Sequence, residues 1–168
     1  MKMHFTKTGW IISFGLLLSI LFIAAGCGAG KTMVIKAPEA ASKFSAVEVV
    51  EDPATVNVPS EVSSSFQTKL GRLLYEDGGF SKGPGLTIKY RFIQYNPGNQ
   101  FTRWFWGGIG NAGEGTMTVE TKFLDGEGKE LATVQSEGKI SSGAFGGSFD
   151  FATQKAAAEV AEFAKRFR

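Results

Sequence analysis

The run Ala25-Gly-Cys-Gly-Ala-Gly30-Lys31-Thr32 is the first place to look for phosphate chemistry. It fits a relaxed phosphate-loop pattern, in which backbone N–H groups and a helix N-terminus cradle phosphates and a lysine reaches them. That chemistry requires a strand before the glycines and a helix after them. Here an apolar run from Trp10 to Ala25 comes before, and "TMVIKAPEA" after reads as a short strand and a proline-containing loop. Glycine is also missing from the first motif position, where Ala25 stands. A second stretch, Gly108-Ile-Gly110-Asn-Ala-Gly113, has the formal spacing of a dinucleotide loop. It leads into Thr116-Met-Thr-Val, a strand where dinucleotide binding needs a helix. No nucleotide and no cofactor is expected.

The same N-terminal residues read better as an address. Lys2 and Lys7 stand without an acid in the first nine residues, and an apolar stretch and small residues follow. That is the pattern of a secretory signal. The stretch is short for a membrane span, which needs about 20 apolar residues. Ala24-Ala25-Gly26-Cys27 resembles the lipobox of bacterial lipoproteins. The resemblance implies cleavage before Cys27, a diacylglycerol on its thiol and an acyl chain on the new amine. Residues 1–26 are then the signal peptide. Gly28, rather than Asp, at the second mature position implies the outer membrane, facing the periplasm, in a cell with two membranes.

Cleavage changes what chemistry is possible. His4 is the only histidine and Cys27 the only cysteine. A mature chain without imidazole, with its thiol acylated, has no Ser-His-Asp or Cys-His site, no thiol redox chemistry and no His- or Cys-based zinc site. No Asp-x-Asp-x-Asp-Gly loop suggests calcium, so no metal is expected. The 16 acidic residues leave a carboxylate-pair hydrolase open as an alternative. Lys2 and Lys7 leave with the signal, so the basic residues that remain balance the acids. There is no global positive field for nucleic acid.

These residues must be positioned by about 140 residues, which suits one domain. Residues 27–43 are small and polar and read as lipidated cysteine and tether, with room for an edge strand at Thr32–Lys36. Residues 44–168 read as the domain. "FSAVEVVED" predicts a strand at 44–51. Pro59 and Ser60 start a helix with Ser60 as N-cap, and Val62, Phe66, Leu70, Leu73 and Leu74 make its apolar face. Gly78-Gly79 ends it. In "LTIKYRFIQYN", Leu86, Ile88, Tyr90 and Phe92 share one strand face, while Lys89, Arg91 and Tyr95 share the other. Met117 to Phe123, a turn at Asp125–Gly128, and Leu131 to Glu137 form a hairpin. A closing Ala-rich helix runs from about Phe149, with Asp150 as N-cap and Ala157, Val160, Ala161, Ala164 and Phe167 on its apolar face. The expected fold is a two-layer α+β sandwich. Its sheet is mainly antiparallel with four to five strands, two helices cover one face, and the order is β-α-β-β-β-α.

"FTRWFWGGIGNAGEG" is the most unusual stretch. Adjacent residues on a strand point to opposite faces, so Trp104, Phe105 and Trp106 cannot all enter one core. They either cover one end of the core or, with Arg103, form a contact surface for a protein or the bilayer. "GGIGNAGEG", the hairpin "TMTVETKFLDGEGKELATVQSEG", "GAFGGS" and "ATQKAAAEVAEFAKRF", with the lipobox cysteine, resemble a family of bacterial envelope lipoproteins. It is the domain-of-unknown-function family numbered four-four-one-zero. That resemblance supplies no catalytic residues. The expected function is a non-enzymatic, lipid-anchored, periplasm-facing envelope component with a protein partner and a membrane contact through Cys27. A carrier of a small apolar or glycan ligand is the other alternative. Mass spectrometry of the membrane fraction should find an acylated Cys27 at the N-terminus. An intact Met1, or a Cys27→Ser chain of unchanged location, would show the lipobox reading to be wrong.

Overall fold

The computed structural model describes residues 30–38, 42–98, 115–140 and 149–168. Six strands and two helices follow in the order β1 (Gly30–Lys36), β2 (Ala46–Glu51), α1 (Ser60–Arg72), β3 (Ser81–Lys82), β4 (Leu86–Asn96), β5 (Gly115–Leu124), β6 (Glu130–Ile140) and α2 (Phe149–Ala164). The strands form one sheet in the order β1-β6-β5-β4-β2-β3. Pairings among β1, β6, β5 and β4 are antiparallel, while β2 runs parallel to both β4 and β3.

The two-layer α+β architecture is as expected, but strand number and order need correction. The sheet has six strands, not four to five, and the order is β-β-α-β-β-β-β-α. β1 is the edge strand for which the tether stretch leaves room at Thr32–Lys36, absent from the expected order, and β3 has only two residues and so no periodicity to read. β2, α1 and β4 form a crossover unit, which makes β2 and β4 parallel because a helix returns the chain to the same end of the sheet.

Each element follows from its residues. Phe66, Leu70 and Leu74 of α1 and the turn after it are buried, at the expected helical spacing. The helix begins with Pro59 rather than Ser60 in the cap position, and the Pro59 carbonyl accepts from the N–H groups of Val62 and Ser63. One wider helical turn, Leu73–Asp77, then ends at Gly78 and Gly79, and Gly79 has φ 71°. Leu86, Ile88, Tyr90 and Phe92 of β4 are fully buried beneath the helices. Phe66 packs on Tyr90 and Phe92 with ring centroids 4.9 and 5.5 Å apart.

Tyr95 departs from the alternation. β4 carries a bulge between Phe92 and Gln94, so Tyr95 lies opposite Met117 and its ring meets Phe149 at 5.0 Å. The extra residue shifts Tyr95 from the Lys89 and Arg91 face to the helix face. Asp150 is in the first turn of α2 and pairs with Lys69 of α1 at 2.8 Å while accepting from Ser65. Hydrogen bonding to Lys69 holds its carboxyl below the usual range.

α2 meets the sheet through small residues. Ala152, Ala156, Ala157 and Ala164 are fully buried, and its backbone lies on Gly138 of β6. A Cβ added at Gly138 would stand 1.9 Å from the carbonyl oxygen of Ala152. Because the obstruction is helix backbone, a rotamer change cannot relieve it. Gly138→Ala should therefore destabilise the domain by at least about 1–3 kcal/mol. Chemical denaturation checks this, and a midpoint equal to the parent's would mean that α2 does not sit on β6 as described.

Candidate functional site

Cys27 and the Arg103, Trp104, Phe105, Trp106 set lie outside the described residues, as do Gly108 to Gly113 and the second glycine stretch. The strands that flank them are described and share one end of the sheet. Gly30 lies opposite Gly138, Gly138 opposite Met117, and Met117 opposite Tyr95. This cross-strand row contains the first residue of β1 and residues at the end of β6, the start of β5 and the end of β4. Gly28 and Ala29 alone separate Cys27 from that row. The chain enters from Cys27, leaves β4 toward the aromatic stretch, returns into β5 and leaves β6, all at this same end.

Among the described residues, the helix side of the sheet carries a groove beside β1 and another beside β2. Beside β1 a groove of about 380 Å³ is lined by Thr32, Val34, Glu159, Glu162, Phe163 and Arg166, among others. Glu159 and Glu162 project from α2 one turn apart. The hydroxyl of Thr32 donates to Glu159 at 2.6 Å, and Lys165 pairs with Glu162 at 2.6 Å. Beside β2 a groove of about 420 Å³ is lined by Glu48, Val49, Gln67, Gly71, Tyr75 and Lys82 among others. Burial, and then the Glu48 carboxylate, raise the Tyr75 pKa. Both grooves are partly open to the outside.

Other polar groups are engaged in holding layers together. Ser63 of α1 donates to Glu51 of β2 at 2.8 Å, and the Tyr90 hydroxyl donates to the same carboxylate at 3.2 Å. Burial, then the Glu51 charge and hydrogen bond, push the Tyr90 phenol far above its usual range, so it keeps its proton as a donor. On the sheet face away from the helices, Arg91 pairs with Glu120 at 2.6 Å and Lys89 with Asp52 at 3.0 Å. Among the described residues no cluster of three His, Cys, Asp or Glu is placed to hold a metal, and no helix is long and apolar enough to cross a membrane.

Residues 58–144, from just before α1 to just past β6, match the family described as "Domain of unknown function (DUF4410)". The chain belongs to that family. No protein of curated function matches it. Among solved structures, it is similar to a single-residue variant of the PelC dodecamer from Paraburkholderia phytofirmans, with TM-score 0.58 and 12% identity over 83% of this chain and 98% of that one. A second crystal form of the PelC dodecamer gives TM-score 0.53 and 12% identity, over 83% of this chain and 96% of that one. A minor lipoprotein from Acinetobacter baumannii gives TM-score 0.39 and 13% identity, over 70% and 91%. At such identities these likenesses concern the fold alone. The family match begins after β1 and ends before α2, so all the residues that line the β1 groove lie outside the matched segment.

Sequence reading missed both grooves. Thr32 and Glu159 are far apart in the chain, and no local pattern announces their contact. The one local signal was the unbroken Met33-Val34-Ile35 in a polar stretch. The Thr32 to Glu159 bond fastens β1 to α2, and a bond to a charged acceptor contributes about 1.5 kcal/mol. Glu159→Ala should raise amide exchange in Gly30–Lys36 roughly tenfold while β5 stays protected. Unchanged exchange in β1 would mean that this bond does not hold the strand.

Proposed function

We propose that the chain is a non-enzymatic envelope lipoprotein, anchored by lipid at Cys27 to the periplasmic face of the outer membrane, whose domain is a subunit of a multi-copy assembly. One observation carries this reading. The row Gly30–Gly138–Met117–Tyr95 gathers the approach from Cys27 and the exits toward 97–114 at one end of the sheet. In this reading Arg103, Trp104, Phe105 and Trp106, carried on the segment between β4 and β5, serve as a contact surface for lipid headgroups or a neighbouring protein. Trp and Phe beside an Arg suit either contact. The fold likeness to a dodecamer supports the assembly part of the reading.

Two or three acyl chains, at about 0.8 kcal/mol per buried CH₂, hold such a domain in place without a spanning helix. Density-gradient fractionation should place the protein with outer-membrane markers. Replacing Trp104 and Trp106 singly by Ala tests the contact surface. A contact Trp leaves the melting temperature nearly intact while membrane or partner crosslinks from that end disappear. If both substitutions cost the roughly 3–5 kcal/mol of a core aromatic, the residues belong to the core and the contact surface is abandoned.

A further inference from the structure

We propose that copies of this chain join head to tail, the outer edge of β1 in one copy pairing with the outer edge of β2 in the next. This rests on the anchored-assembly reading above and names the surface that would build it. The first observation is β1 itself. It is a terminal strand of the sheet, and Met33, Val34 and Ile35 are 51, 44 and 52% exposed. Three adjacent large apolar side chains on an outer strand form a template for pairing with another chain.

The opposite edge supplies the complement. β3 pairs only with Ala46 and Val47, so no described strand lies outside Glu48–Glu51. The Val47 carbonyl accepts from Gly83 on the outer side, whereas the Asp52 N–H donates inward to Tyr90. Alternation then turns the backbone groups of Val49 and Glu51 outward. β1 runs antiparallel to β2 through the chain of pairings across the sheet. Thr32 and Val34 lie on the helix side, like Val49 and Glu51, but on a reversed strand at the other edge. The same backbone chirality therefore turns their N–H and C=O groups outward as well.

These constraints select a register. With Thr32 opposite Glu51 and Val34 opposite Val49 as hydrogen-bonded pairs, Met33 faces Val50 and Lys31 faces Asp52. The open-face residues stay on the open face and apolar residues meet apolar ones. Charge points the same way. β1 carries Lys31 and Lys36 and no acid, while β2 and the residue after it carry Glu48, Glu51 and Asp52 and no base. Pairing β1 with a second β1 brings only lysines together, and β2 with β2 only acids.

The anchor decides between head-to-tail and twofold pairing. Head-to-tail addition keeps every β1 pointing the same way, so each Cys27 reaches the same membrane. Twofold pairing of β1 with β1 reverses one copy and puts its Gly30 end on the far side from the bilayer. Heterologous contacts of this kind propagate and can close into rings.

Met33 opposite Val50 is a non-hydrogen-bonded pair, whose Cα separation of about 4.5 Å admits a disulfide. The test uses the full-length chain in its own membranes. A Met33→Cys, Val50→Cys double variant, oxidised there, should give a ladder of disulfide-linked species beyond the dimer. Neither single variant alone should link, and the two single variants produced together should give a dimer and nothing larger. The parent chain controls for Cys27. A dimer from Met33→Cys alone means twofold pairing and overturns the proposal. So does the absence of any link in a folded double variant that fractionates with the membrane. A double variant that leaves the membrane fraction overturns the anchoring reading instead, and a ladder that persists there leaves the edge pairing standing without it.

Discussion

The backbone of α2 rests directly on β6 at Gly138, and the rest of the architecture is arranged around that close approach. It requires a residue without a side chain on the strand and a row of alanines on the helix. With α2 so close, bulk has to be supplied at its ends and beside it. Phe123 stacks on Phe167 at 5.2 Å and meets Phe163 at 5.1 Å at one end, and Tyr95 meets Phe149 at the other. α1 reaches the sheet differently, with Phe66, Leu70 and Leu74 as long side chains against Tyr90 and Phe92. The Asp150 to Lys69 pair then joins the helices where a small-residue helix lies beside a large-residue one.

Much of this was legible because the informative patterns are local. Alternation in β4 identified Leu86, Ile88, Tyr90 and Phe92 as core, and helical spacing did the same for Phe66 and Leu70. The hairpin turn was legible too, since Asp125 accepts from the N–H groups of Glu127 and Lys129 and Gly128 has φ 81°. What failed depends on distant partners. The bulge that moves Tyr95 to the helix face is defined by its pairing with β5, not by any residue type in β4. β1 likewise carries a register shift between Val34 and Lys36 that is defined by its pairing with β6, and Met33, Val34 and Ile35 are all exposed there. For the candidate site, Cys27 and Arg103 to Trp106 lie outside the described residues, and that the flanking ends of β1, β4, β5 and β6 share one row appears only once strand registers are known.

The β2-α1-β4 crossover determines the polarity of the whole sheet. A helix connection returns the chain to its starting end, so β2 parallels β4, and it places α1 on the face that α2 also covers. Counting across from β4 through two hairpin-like antiparallel steps and a third to β1, the two outer strands emerge with opposite directions. Copies that keep one orientation at a membrane can therefore extend the sheet by antiparallel pairing, the somewhat stronger kind. Had a hairpin joined β2 to β4, the outer strands would be parallel and only the weaker geometry would remain for copies anchored on one side. β1 bears on both requirements of the proposed assembly, since only Gly28 and Ala29 separate its first residue from Cys27 and it exposes Met33, Val34 and Ile35. If Cys27 carries the proposed anchor, copies held in one orientation would add neighbours in the hydrogen-bonding direction of the sheet, across the direction of β1.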